Sequence, residues 1–213
     1  LQLACEAVKA ALDDAGLTPG DVDGMTTFTM DTSDEIELAR AIGAGDLTFF
    51  SRVPYGGGAA IGVVQHAVMA VATGAAECVV VYRAFNERSG RRYSTGISEG
   101  IVTADLIHWS WYLPFGLLTP ASWVAMYTQR YMHEYGATTE DFGRVAVACR
   151  RHAANNPAAF FYKQPISLED HQKSRWIVKP LRLLDCCQES DGGQAFVVTT
   201  LERARDLKSK PAV

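Results

Sequence analysis

The 213-residue chain is 48% hydrophobic and 21% charged, an ordinary globular balance that argues against disorder. A net charge of −4 offers no basic surface for nucleic acid, and no apolar run approaches the ~20 residues of a membrane-spanning helix. The opening residues lack a basic stretch, so they do not read as a signal peptide, and the five cysteines (Cys5, Cys78, Cys149, Cys186, Cys187) form no CxxC pair. Together these features point to a reduced, cytoplasmic protein of one or two domains without a structural zinc site.

Taken in chain order, Leu3, Ala7, Val8, Ala11, Leu12 and Ala15 recur at helical spacing, with Gly16 placed to end the helix. A turn over Thr18–Gly24 leads to a short strand, Met25 to Met30. Ser33 is positioned to cap a helix from Asp34 to Ile42, whose first turn holds Asp34, Glu35 and Glu37. Leu47 to Val53 reads as a second strand. The segment Val53-Pro-Tyr-Gly-Gly-Gly58 then opens into a helix from about Ala59 to Thr73. That helix is apolar nearly all round and is expected to be buried on most faces. Cys78 to Tyr82 is a continuous apolar strand, as in a central parallel sheet. Helix and strand alternate to residue 82, which predicts a layered α/β fold.

After Arg83 the sequence reads as loop, then as helices: Thr119-Pro120 to about Tyr135, ended by Gly136; Thr139 to about Ala154; and one turn at Leu168 to His171. Ser190-Asp-Gly-Gly193 reads as a tight turn before a strand, Gln194 to Thr200, and a helix, Leu201 to Leu207. The expected organisation is a core of residues 1–83 and 186–213, with an inserted loop or cap over 84–185.

The glycine turn is the most informative feature. A tight turn entering a helix N-terminus is where many α/β enzymes hold a nucleophile or an anion. Residues 56–62 contain no Ser, Cys, Thr or Lys, so no nucleophile stands on it. Arg88, Arg91 and Arg92 could hold the phosphates of coenzyme A, or form a solvated loop or a subunit contact. His108-Trp-Ser-Trp-Tyr112 could line an apolar ligand cavity, or pack against core or partner. The five histidines show no metal-binding spacing, and His66 reads as a satisfied core residue. Cys186-Cys187 is the one place for a reactive thiol, although a buried structural pair is the simpler account.

Several of these pieces, in this order, resemble the thiolase superfamily. The carriers are Ala7–Gly24, Gly74–Val81, Asn155-Asn-Pro157, Ser174, Leu184-Asp-Cys-Cys187 and Ser190-Asp-Gly-Gly193. The later signatures are similar to those of the sterol-carrier-protein-X, lipid-transfer-protein type. The runs Val81–Tyr93 and Pro114–Pro120 resemble the actinobacterial steroid side-chain-cleaving aldolases of that type. The resemblance implies the layered αβαβα thiolase fold, here most of the first half with its inserted helical loop domain. It implies that the first strand lies ahead of Leu1 and that the second half follows Val213. It places Gly57 at the position of the thiolase nucleophile. Glycine cannot form an acyl-enzyme, so covalent thiolysis is lost.

The activity implied by the resemblance is retro-aldol cleavage of a β-hydroxyacyl-CoA with a steroid substituent, releasing propionyl-CoA and a 17-ketosteroid. Tyr55, Gly56, Gly57, Gly58, His108 and Trp109 are the candidates for substrate contact, and Arg88, Arg91 and Arg92 for the CoA phosphates. No metal and no cofactor are implied beyond the coenzyme A of the substrate. The general base is expected in the absent half, and this chain alone is expected to be inactive. A homodimer and an OB-fold partner protein associated with the acyl-CoA hydratase are also implied. The alternatives are a non-catalytic acyl-CoA or sterol-binding scaffold, and a thiolase that uses Cys186 or Cys187.

Overall fold

A computed structural model describes residues 1–28, 33–53, 58–90 and 110–212. They fall into two compact units, one of Leu1–Gly90 with Ser190–Val213, the other Arg91–Glu189. The first unit is built on a mixed four-stranded sheet. Its elements are α1 (Gln2–Ala15), β1 (Gly24–Phe28), α2 (Glu35–Ile42), β2 (Phe49–Val53), α3 (Ala59–Ala72) and β3 (Cys78–Asn86). The strand order is β2-β1-β3-β6, where β6 is Asp191–Thr199 near the end of the chain. β2, β1 and β3 run parallel, and β6 pairs antiparallel along the whole of β3, from Cys78 opposite Thr199 to Asn86 opposite Asp191.

The two sheet faces bury separate cores, because side chains alternate along each strand. Met25, Val80, Tyr82 and Ala84 meet Ala4, Val8 and Leu12 of α1 and Leu38 of α2. Val79 and Val81 point the other way, onto Val63, Ala67 and Ala70 of α3. β3 is therefore covered on both faces, as its unbroken apolar run predicts. The α/β alternation is present, with three differences of detail. Asp34 rather than Ser33 caps α2, accepting from the Ile36 N–H at 2.8 Å, while the Ser33 carbonyl accepts the Tyr82 hydroxyl at 2.8 Å. β3 continues past Arg83 to Asn86 because β6 supplies backbone partners for those residues. The residues read as a tight turn, Asp191 to Gly193, belong to β6. Gly193 is needed for close approach, since an added Cβ would lie 2.7 Å from the Leu3 carbonyl oxygen of α1.

A further correction concerns α3. Ile61, Val68 and Met69 are 75%, 50% and 54% exposed, so one side of this apolar helix is bare. Among the described residues, one face of the sheet packs on it.

The second unit contains α4 (Pro120–Tyr135), α5 (Thr139–Asn155) and α6 (Leu168–Lys173), then a short hairpin of β4 (Trp176–Val178) and β5 (Leu181–Arg182). The hairpin is not legible in the sequence. Capping boxes start two of the helices: Thr138 with Asp141 for α5 and Ser167 with Asp170 for α6. His171 is fully buried and shares a 2.7 Å hydrogen bond with Asp185, which also accepts from the Arg182 N–H. Gly143 of α5 makes room for that ring: an added Cβ would lie 2.7 Å from His171 Nδ1. The last helix, α7 (Leu201–Arg205), returns to the first unit, where Arg203 pairs with Asp21 at 2.8 Å.

Two substitutions test these locks by urea unfolding. Asp23→Ala removes two carboxylate acceptors of the Glu77 and Cys78 N–H groups, each at 2.8 Å, and is expected to cost about 2–4 kcal/mol. Gly143→Ala is expected to cost about 1–3 kcal/mol through overpacking against His171. Unchanged midpoints would show that neither contact matters.

Candidate functional site

Two places carry the features a site needs, one in each unit. In the first unit, the parallel strands β1, β2 and β3 present their carboxyl ends on one edge of the sheet, where open α/β sheets bind ligands. Gly58 caps α3 at that edge, and a Cβ added there would meet nothing within 4 Å among the described residues. On the α3 face of the same edge, the Arg83 guanidinium lies 4.1 Å from the Phe28 ring centre and 5.3 Å from that of Phe85. This stack fixes a cation beside the strand ends.

Of the sequence candidates, Gly58 and Arg88 lie in this edge. Tyr55, Gly56, Gly57, Arg91, Arg92, His108 and Trp109 lie outside the described residues. Arg88 sits in the turn after β3, where its N–H and that of Ser89 donate to Asp191 Oδ1 at 2.7 and 3.0 Å. Those bonds, the Ser89 one foremost, hold the Asp191 carboxyl below the usual carboxylate range. His66 is half-buried rather than in the core, and its Nδ1 meets Ser51 Oγ at 2.6 Å across α3 and β2. The stack of Phe28, Arg83 and Phe85 was not anticipated. Its signal was the alternation at 81, 83 and 85, which becomes visible once residues 83–86 are read as strand.

Two of the thiols, Cys78 and Cys186, are held in the protonated form. Burial pushes Cys78 up to about 11. Burial, followed by the neighbouring Asp185 carboxylate, also raises Cys186, whose Sγ lies 3.5 Å from the Arg182 carbonyl oxygen. Cys187 is exposed, so the two do not form a buried pair. Among the described residues no group of three or more His, Cys, Asp or Glu side chains could hold a metal ion. Nor is any of their helices long and apolar enough to cross a membrane.

In the second unit, α4 walls an open groove of about 820 Å³. Ser122, Met126, Gln129, Arg130 and His133 line it at successive turns of the helix, facing Phe115 and the β4–β5 turn at Val178 and Lys179. Lys179 and Arg130, the latter paired with Glu134 at 2.5 Å, bring charge to this wall, with His133 beside them. The groove was missed in the sequence because its second wall comes from the unrecognised hairpin, some 45 residues further along.

No family profile matches the chain. It is 68% identical over 218 residues to a steroid side-chain-cleaving aldolase of Thermomonospora curvata, a match covering all of this chain and 55% of that protein. It is 62% identical over 216 residues to the 17-hydroxy-3-oxo-4-pregnene-20-carboxyl-CoA lyase of Mycobacterium tuberculosis, covering all of this chain and 56% of the lyase. A solved Ltp2-ChsH2(DUF35) aldolase superposes with a TM-score of 0.84 at 67% identity, over all of this chain and 53% of that one.

This chain belongs to the thiolase superfamily.

It spans about half the length of the curated relatives it matches. The fold likeness extends to a monomeric SCP2-thiolase-like protein of Mycobacterium smegmatis, with a TM-score of 0.65 at 21% identity over 97% of this chain and 43% of that one. Residues 56–62, which lead into α3, contain no Ser, Cys, Thr or Lys. The raised Cys186 argues against a substitute thiolate. In the full-length enzyme, the double replacement of Cys186 and Cys187 by Ala is expected to leave turnover within about twofold of wild type. A loss of a hundredfold or more would instead assign catalysis to a thiol.

Proposed function

We propose that this chain forms part of an enzyme that cleaves a β-hydroxyacyl-CoA bearing a steroid by a retro-aldol reaction. One observation carries the reading: identities of 68% and 62% over the whole chain to two proteins named as a side-chain-cleaving aldolase and a carboxyl-CoA lyase. A base removes the β-hydroxyl proton, the Cα–Cβ bond breaks as the carbonyl forms, and the bonding electron pair passes to the thioester enolate. Protonation of that enolate gives propionyl-CoA, and the carbonyl fragment is the 17-ketosteroid. No acyl-enzyme is required, in keeping with Gly57. The N–H groups at the start of α3 suit a developing enolate oxygen. Arg88, Arg91 and Arg92 are the proposed partners of the coenzyme A phosphates. The enzyme would use no cofactor beyond the substrate's own coenzyme A.

The rest of the assembly belongs to the same proposal. The bare face of α3 at Ile61, Val68 and Met69 suits burial against a second thiolase half, which would also supply the general base. A cytoplasmic homodimer with an OB-fold partner is the proposed working form. The solved Ltp2-ChsH2(DUF35) aldolase, 67% identical to this chain, supports a second polypeptide.

The test is product analysis. The full-length enzyme, with its partner and a β-hydroxy steroid-CoA thioester, is expected to yield ketosteroid and propionyl-CoA in equal amounts, and this chain alone none. Tight coenzyme A binding without turnover would replace the enzyme by a carrier.

A further inference from the structure

Beside the groove in the second unit lies a smaller pocket of about 180 Å³. Its walls are Tyr112, Leu117, Trp123, Met126 and Tyr127. Tyr112 comes from the turn before α4, and the last three from the first two turns of that helix. The Tyr112 and Trp123 rings lie 5.5 Å apart between centroids, tilted at 55°, so they form a wedge rather than a closed stack. Leu117 and Met126 line both the pocket and the groove.

A lining of Tyr112, Trp123 and Tyr127 selects a flat apolar body. Aromatic faces suit a rigid fused-ring body, which loses little conformational freedom on binding. The pocket is smaller than the ~300 Å³ lower range for whole drug-sized ligands, so it takes part of such a body. Tyr127 and Phe115, 73% and 79% exposed, offer apolar surface for the remainder.

We propose that this aromatic pocket receives the ring system of the substrate, with Trp123 and Tyr127 as specificity-determining residues that favour steroidal over short acyl chains. The assignment rests on the acyl-CoA aldolase reading and adds the place where the ring is recognised. The adenine ring of coenzyme A does not enter the pocket.

Two readouts in the full-length enzyme test this. The first is KM for a steroidal and for a short-chain β-hydroxyacyl-CoA. Trp123→Ala and Tyr127→Ala are each expected to raise KM for the steroidal substrate about tenfold and to leave the short-chain KM within about twofold, with Trp123→Phe restoring most of the loss. The second readout needs no turnover: tryptophan fluorescence titrated with a steroid carboxylic acid lacking coenzyme A, and separately with coenzyme A alone. The acid is expected to quench wild type saturably, with the signal lost in Trp123→Phe, and coenzyme A alone to leave that signal unchanged. Equal KM increases for both substrates would overturn the proposal. So would quenching of Trp123 by coenzyme A with none by the acid, which would make adenine the occupant. If the wild-type enzyme cleaves nothing, the titration still decides the pocket, so the two readings fail separately.

Discussion

Asp23 ties the amino ends of three parallel strands together. Its carboxylate accepts the Glu77 and Cys78 N–H groups at the start of β3, and its carbonyl accepts the Thr48 and Phe49 N–H groups at the start of β2. Thr48 adds its hydroxyl, which reaches both the Asp23 and Ala75 carbonyls. One residue just before β1 thus sets the register of both neighbours. Side chains alternate along a strand, so a slip of one residue would exchange the two cores. With the register held, Val80 and Tyr82 face α1 while Val79 and Val81 face α3. The carboxyl ends then align, and Gly58, Phe28, Arg83 and Arg88 come to one edge of the sheet.

The second unit uses a different lock. His171 and Asp185 are buried together against Gly143, and the same aspartate receives the Arg182 N–H. α5, α6 and the end of the hairpin are therefore held through one polar pair, which is satisfied within a dry surrounding. The hairpin carries Lys179 into the groove along α4.

Much of this organisation was legible from local pattern. The αL glycines after α1 and α4, the Thr119-Pro120 start and the apolar run of β3 each act through near neighbours. The remaining details were not, because their causes are distant in sequence. β3 extends to Asn86 only because β6, more than a hundred residues later, supplies its hydrogen bonds. The apolar composition of α3 indicates burial, whereas Ile61, Val68 and Met69 are exposed, since composition records what a helix is suited to meet rather than what this chain provides.

By itself the sequence determined that this is an α/β chain of thiolase type whose helix-entry turn has no nucleophile. Absence of a reactive side chain is a local fact, and no packing can restore a thiol at Gly57. Tertiary structure alone decided which groups meet: Arg83 between Phe28 and Phe85, Cys186 beside Asp185, and Tyr112 with Trp123 and Tyr127 around an aromatic pocket. The physical reason is that stacking, burial and electrostatic fields depend on distance in space, whereas the order of residues fixes distance only along the chain.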